Sequence, residues 1–97
     1  MFGMPARDNY SPIEISEQKL FQLLKPRVGK KKAKAMAYDR NIHTPWKKQM
    51  LYECIGFSNN LVDIRLLYLF WGHLTLKQQT RLDNNKQKYV IVRNKKQ

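Results

Sequence analysis

Acidic residues are scarce in this sequence, and cysteine is almost absent. Against 19 lysines and arginines stand only 7 aspartates and glutamates, which leaves a formal net charge of +12 over 97 residues. The single cysteine, Cys54, excludes an intrachain disulfide, and nothing suggests an oxidising compartment. So large an excess of positive charge predicts a polyanionic partner, most commonly nucleic acid, with an anionic membrane surface as the other choice.

Long apolar runs are also missing. The longest, Leu61 to Trp71, is interrupted by Asp63 and Arg65, whereas a spanning helix needs about 20 apolar residues. The N-terminal residues lack the charged start and apolar run of a secretory signal. We therefore expect a protein that is neither membrane-spanning nor secreted, located in the cytoplasm, a nucleoid or a nucleus.

Signatures of catalysis and metal binding are absent from the sequence. Cys54, His43 and His73 are the only soft metal ligands, and none has a paired spacing such as C-x-x-C or H-x-x-x-H. There is no Gly-rich phosphate loop and no paired-carboxylate signature. Cys54 stands beside Ile55 and is interpreted as a small core residue. We expect no enzyme activity, no metal site and no cofactor.

What the chain does contain is enough apolar sequence for one core. Hydrophobic residues make up 42% and aromatic residues 11%, too much for a wholly disordered chain. At this length there is room for a single core, so we expect one domain over residues 1–97, with a flexible N-terminus over residues 1–10.

Positive charge is concentrated in two blocks. Residues 25–48 hold nine basic residues and one acid, a net charge of +8, and residues 74–97 hold seven and one, a net charge of +6. The blocks 1–24 and 49–73 each carry a net charge of −1. This alternation indicates a division between charged surface and apolar core.

The first third of the chain predicts a helix followed by a basic segment. Ser11-Pro12 with Glu14 is typical of a helix start, and it predicts a helix over residues 11–25 that Pro26 ends. In residues 26–43 the alanine and lysine content permits a helix, but like charges at neighbouring positions oppose it. We expect this segment to be mobile when free and to order on an anionic partner.

Residues 44–83 are predicted to be a helical core. Trp46 recurs with Met50 and Cys54 at helical spacing, so Trp46 is interpreted as a core or helix-anchoring residue. A helix that is apolar on nearly all sides, as residues 60–71 would be, is central to the fold or meets a partner chain. Cap and stop signals predict three helices, over residues 45–55, 60–71 and 76–83, with a turn at 83–85.

The basic C-terminal tail, residues 84–97, is ambiguous. The composition of Tyr89-Val90-Ile91-Val92 favours a strand, and a terminal helix is the alternative. A β-hairpin that pairs residues 74–82 with 87–93 is the rival arrangement. The fold class we expect is mainly α, a small bundle of four to five helices with a basic inter-helix segment and tail, or with that hairpin.

Residues 65–79, RLLYLFWGHLTLKQQ, have the order of a helix-turn-helix: an apolar helix, a Gly turn and a capped short helix. They resemble the stretch of sigma-factor region 4 and related phage regulators that precedes the recognition helix. His73 lengthens the turn, and Gln79 or Thr80 replaces the small residue usual inside the second helix. The resemblance implies a DNA-binding protein of transcription regulation, with a set of residues facing the major groove: Lys86, Gln87, Lys88, Val90 and Arg93.

The lysine and arginine clusters are the strongest functional signal. Groups at this density displace counterions from a phosphate backbone, and Tyr38 and Tyr89 lie where aromatic faces can stack unpaired bases. A solvated charge run or a nuclear address is the alternative for the string KKKAK. The predicted nucleic-acid-binding residues are Lys25, Arg27, Lys30, Lys31, Lys32, Lys34, Tyr38, Arg40, Lys47, Lys48, Lys86, Lys88, Tyr89, Arg93, Lys95 and Lys96.

We therefore expect a small, non-enzymatic, regulatory or architectural protein that grips the phosphate backbone of DNA or RNA through its two basic blocks. A ribosomal or other ribonucleoprotein subunit is one alternative, because basic extensions order by threading among RNA phosphates. A protein-interaction module, an inhibitor or adaptor, is the other. It would use the apolar helix over residues 61–71 for a partner or for self-association.

Overall fold

Residues 9–93 are described by the computed structural model, and they form a mainly helical fold with one small sheet. In chain order the elements are β1 (Ser11–Ser16), α1 (Glu17–Val28), α2 (Lys30–Tyr38), α3 (Pro45–Ile55), α4 (Leu61–Phe70), α5 (Leu76–Asn85) and β2 (Gln87–Val92). The mainly α fold class is confirmed, with the sheet as an addition to it. None of the described helices is both long and apolar enough to cross a membrane.

The two strands lie at opposite ends of the described chain and pair in parallel. Ser11 is opposite Gln87 and Ser16 is opposite Val92. The prediction of a helix from residue 11 is therefore wrong for residues 11–16, and the proposed hairpin between 74–82 and 87–93 is wrong as well. Both errors share a cause, because each β1 residue pairs with a residue 76 positions later in the sequence, and no local pattern reveals that pairing.

Helix α1 begins at Glu17, after strand β1 and not at residue 11 as predicted, and it continues past the predicted stop at Pro26 to Val28. Ser16 is the N-cap, and its side chain accepts a hydrogen bond from the Lys19 backbone N–H at 3.0 Å. Pro26 lies inside the last turn, where it removes only one helical hydrogen bond. Arg27 then donates to the Leu23 carbonyl at 2.6 Å, and the helix ends at Gly29, whose φ is +93°.

Helix α2 covers the middle of the basic segment and is part of the core. Ala33, Met36 and Ala37 are all 0% exposed and belong to the main hydrophobic cluster, which also includes Leu20 and Leu24 of α1. The helix that the alanine and lysine content permits is therefore present over residues 30–38, and the mobility expected of residues 26–43 in the free chain stays a prediction. Burial of three apolar residues at helical spacing outweighs the repulsion among neighbouring lysines.

Helix α4 is the central scaffold, as the sequence predicted. Ile64, Leu66, Leu67 and Phe70 are no more than 1% exposed, and the helix packs against α3, α5 and β2. Its N-cap is Asn60, which accepts from the backbone N–H groups of residues 62 and 63. The apolar residues of this helix therefore serve mainly to hold the fold together.

Helix α5 has the predicted capping box, in which Thr75 and Gln78 bond each other's backbone N–H groups. It extends through the predicted turn to Asn85 and ends at Lys86, which adopts a left-handed conformation with φ of +57°. Residues 87–92, where the helix-turn-helix resemblance places a recognition helix, are strand β2. Tertiary pairing with β1 decides this segment against the helical alternative.

Candidate nucleic-acid interface

Three of the predicted phosphate-binding residues are held inside the fold by acidic partners. Lys47 is 0% exposed, and its Nζ lies 3.0 Å from the Asp39 carboxylate while donating to the Asn41 carbonyl. Arg27 is ion-paired with Asp63, and Arg93 is ion-paired with Glu17 and donates to two backbone carbonyls. These three side chains tie elements together, so we do not assign them to the interface.

Tyr89 is not a stacking residue, contrary to the expectation. It is 8% exposed and belongs to the main hydrophobic cluster, with Arg65 over its ring at 5.8 Å. Its place on β2 turns the aromatic ring into the core, because residues 87–92 alternate between the two faces of the strand. Lys88, its neighbour, is half-buried.

The remaining predicted residues are accessible to a partner in varying degree. Tyr38 is 44% exposed, and Lys48 is half-buried beside an aromatic ring. Lys95 and Lys96 lie outside the described residues. The exposed basic residues of the predicted set are Lys25, Lys30, Lys31, Lys32, Lys34, Arg40 and Lys86.

Helix α2 places its lysines on the surface because its buried residues claim the opposite face. With Ala33, Met36 and Ala37 inside, helical periodicity turns Lys31, Lys34 and Tyr38 outward. The arrangement is dictated by the sequence KKKAKAMAY, in which the small and apolar residues recur at positions three and four apart. The result is a surface on which lysines stand close together without an acidic residue on the same helix.

A groove of about 490 Å³ runs between α2 and α3. Lys31 and Lys32 line it from α2, and Trp46, Met50 and Glu53 line it from α3, together with Ala35 and Gln49. The spacing predicts Trp46 as a core or helix-anchoring residue, and its exposure of 44% shows that it is not part of the core. Lys47, its neighbour, takes the buried position instead, because Asp39 and the Asn41 carbonyl satisfy its charge there. The structure thus brings an exposed indole beside the lysine cluster.

A second aromatic surface was missed by the sequence patterns. Tyr52 of α3 lies 5.5 Å from Phe57 and 5.9 Å from Trp71, measured between ring centroids. His73 packs edge-on against Trp71 at 5.5 Å, and Lys48 Nζ lies 6.0 Å from the Trp71 centroid. The one signal in the sequence was Phe57 itself, a large apolar residue placed in a polar loop after Gly56.

Cys54 is exposed, contrary to its interpretation as a core residue, because α3 turns Leu51 and Ile55 inward instead. Within residues 9–93, no group of three or more histidine, cysteine, aspartate or glutamate side chains is arranged to hold a metal ion.

Comparisons with protein-family models, curated proteins and solved structures give no match for this chain. Its function has to be inferred from the surface that the fold builds.

Proposed function

We propose that this chain is a small, non-enzymatic nucleic-acid-binding protein whose primary contact is the groove between α2 and α3. The observation that carries the proposal is the position of Lys31 and Lys32 on one wall of that groove and of exposed Trp46 on the other. The lysines would bind phosphate, and the indole would contact sugar or base.

The four lysines of α2 are suited to phosphate because nothing in the described structure neutralises them. No ion pair joins any of the four to an acid of residues 9–93, whereas three other cations of the predicted set are paired. Glu53, at the α3 side of the groove, is hydrogen-bonded to Gln49 and is the one acidic residue among the groove's lining residues. The net charge of +12 adds long-range attraction for a polyanion.

The protein-interaction alternative has less support from α4 than the sequence suggested. It needed the apolar helix over residues 61–71 as a free surface, and α4 instead buries its main apolar residues against α3, α5 and β2. A regulatory, architectural or ribonucleoprotein role remains compatible with the groove, and DNA and RNA are both candidate ligands.

A salt series tests the proposal. Affinity for single-stranded and duplex DNA and RNA would be measured by fluorescence anisotropy between low and physiological salt for the wild type and for the triple variant Lys31→Ala, Lys32→Ala, Lys34→Ala. The slope of log K against log salt is negative, and removing one lysine–phosphate interaction should reduce its magnitude by about 0.9 on duplex and about 0.7 on single strands. We expect the triple variant to reduce that magnitude by about 2 to 3.

The matched control removes the same charge elsewhere. Lys19, Lys77 and Arg81 are exposed residues of α1 and α5, and their joint replacement by alanine should change the slope by less than about 1. If the magnitude of the slope fell equally in the two variants, the effect would come from the loss of net charge and not from the groove. Binding that does not depend on salt, or that survives in the α2 variant, would refute the groove as the contact.

A further inference from the structure

Among the exposed aromatic side chains of residues 9–93, that of Phe57 is the most exposed, at 74%, and it lies in a turn between α3 and α4. Exposing a ring to this extent gives up the free energy that its burial would contribute. Its neighbour Tyr52 is 38% exposed and meets it edge-on. Two adjacent exposed rings form a patch, which a single exposed apolar residue would not.

The patch is held in place by regular structure. Tyr52 belongs to α3, and Trp71 caps α4, with its backbone N–H donating to the Leu67 carbonyl at 2.6 Å. Gly56 allows the turn to lie close to the Tyr52 ring, because a Cβ at position 56 would lie 2.8 Å from Tyr52 Cδ1. We call Tyr52, Phe57 and Trp71 the aromatic platform. Its rings are carried by α3, by the α4 cap and by the turn after Gly56, where a Cβ would lie 2.3 Å from the Tyr52 carbonyl oxygen.

A cation accompanies the platform. Lys48 lies one turn before Tyr52 on α3, and its Nζ is 6.0 Å from the Trp71 ring centroid. A base stacked on an aromatic face carries its phosphate nearby, so a lysine over one ring, beside two further rings, is suited to bind the phosphate of a nucleotide whose base stacks on its neighbours. The same helix lines the basic groove with Trp46, so α3 links the two surfaces.

We infer that the aromatic platform stacks unpaired bases, and that the nucleic acid bound by this chain is single-stranded. The inference rests on the proposed function and narrows its ligand. Bases within a duplex are already stacked on each other, so exposed rings gain little from duplex, whereas every unpaired base has a free face to offer. Lys48 beside Trp71 favours a polyanion over an apolar protein segment as the occupant. Two carboxylates also lie beside Tyr52 and Phe57, but Asp63 is ion-paired with Arg27 and Glu53 is hydrogen-bonded to Gln49.

The test compares single strands with duplex of the same sequence, using Phe57→Ala, Phe57→Tyr and a control. Loss of one stacked base should weaken single-strand affinity by about 5- to 150-fold in Phe57→Ala and leave duplex affinity nearly unchanged. Phe57→Tyr keeps a ring and should restore single-strand affinity. The control Leu76→Ala removes a side chain that is 84% exposed on α5 and should bind as the wild type does.

Indole fluorescence gives a second measurement. In a Trp46→Phe background Trp71 is the single tryptophan left of the two in the chain, and stacking of an oligothymidylate or oligouridylate should quench it. The double variant Trp46→Phe, Phe57→Ala should show less quenching at equal oligonucleotide concentration. Far-ultraviolet circular dichroism would confirm that each variant keeps the helical fold.

The outcomes separate the two proposals. If Phe57→Ala binds single strands as tightly as the wild type while the α2 variant loses salt-dependent affinity, the platform is refuted and the groove stands. If neither single strands nor duplex bind, the proposed function fails and the platform fails with it. If sedimentation shows self-association that Phe57→Ala abolishes without changing nucleic-acid affinity, the patch is an interface between copies of the chain and the inference is overturned.

Discussion

Lys47 Nζ lies 3.0 Å from Asp39 Oδ2, and the two residues join the start of α3 to the end of α2. The lysine is fully buried and the carboxylate is half exposed. A buried ammonium group is costly unless it is paired and hydrogen-bonded, and here Asp39 and the Asn41 carbonyl supply both partners. The pair joins α2 to α3, the two helices that line the basic groove.

Asp39→Asn should destabilise the fold, because it leaves the Lys47 charge with only a carbonyl partner. The Asn41 backbone N–H, and after it Lys47, hold the pKa of Asp39 below its ordinary value of 3.8. A lowered folded-state pKa gives stability that is present above pH 3.8 and is lost as the pH falls through the folded-state value. Urea denaturation of wild type and variant between pH 2 and pH 7 checks this. If the difference in free energy of unfolding between wild type and Asp39→Asn did not become smaller at acidic pH, the stabilising role of the Lys47–Asp39 pair would be contradicted.

Tyr10→Phe should reduce the free energy of unfolding by about 1 to 2 kcal/mol at neutral pH. The Tyr10 hydroxyl donates to Asp83 and accepts from Gln79 Nε2 at 2.7 Å, which joins the residue before β1 to α5. Burial, and then the hydrogen bond to Asp83, raise the pKa of Tyr10 from 10.0 to about 12. In the wild type, the free energy of unfolding that Tyr10 contributes should therefore be fully present below pH 10 and be lost as the pH rises from 10 through about 12.

Comparison with Tyr10→Phe and with the control Tyr38→Phe separates the Tyr10 contribution from general alkaline effects on stability. The alkaline loss should be smaller in Tyr10→Phe, because that variant has no hydroxyl to titrate at this position. Tyr38→Phe, in a ring that is 44% exposed, should leave the neutral-pH stability within about 0.5 kcal/mol of the wild type. Chemical denaturation at stepped pH is the measurement, and an unchanged alkaline profile in Tyr10→Phe would rule the pKa argument out.

Leu67→Ala should destabilise the chain by about 2 to 5 kcal/mol, because Leu67 is 1% exposed in the main hydrophobic cluster and alanine leaves a cavity. Thermal and urea unfolding measure the loss, with Leu76→Ala as a surface control expected within about 0.5 kcal/mol of wild type. A folded Leu67→Ala variant of wild-type stability would show that α4 is not the central scaffold.

Lys86→Gly should leave stability unchanged or raise it by up to about 1 kcal/mol. Lys86 ends α5 with φ of +57°, a conformation that costs an L-residue with a Cβ about 1 to 2 kcal/mol, and glycine's extra unfolded-state freedom offsets part of that relief. Asn85→Gly, one position earlier and inside the helix, should instead destabilise by about a few tenths of a kcal/mol, because glycine is a weaker helix former than asparagine. Thermal melting curves of the two variants and the wild type measure the change in stability. A loss of stability in Lys86→Gly comparable with that in Asn85→Gly would contradict the left-handed conformation at the end of α5.

Local signals were enough for the helices whose caps and faces are encoded nearby. Pro45 starts α3, although the Thr44 side chain makes no capping hydrogen bond, Asn60 caps α4, and the Thr75–Gln78 capping box starts α5. Each of these signals works through hydrogen bonds or steric limits within one turn of chain, so the residues themselves suffice.

The candidate site was only partly visible in the sequence. The surface lysines of α2 followed from composition, but the exposure of Trp46 and the burial of Lys47 did not. Trp46 and Lys47 are neighbours on α3, and only one of them can occupy the buried position. Lys47 occupies it because Asp39 and the Asn41 carbonyl, which belong to a separate segment, pair with its charge. Spacing to Met50 and Cys54 carried no information about those partners.

By itself, then, the sequence determined the helical character, the apolar central helix and the excess of positive charge, since each depends on composition or on contacts within a few residues. The tertiary structure alone decided that residues 11–16 and 87–92 are paired strands, that Arg27, Lys47 and Arg93 are engaged internally, and that three aromatic rings meet at the surface. Those outcomes depend on groups far apart in sequence, and only folding brings them within contact distance.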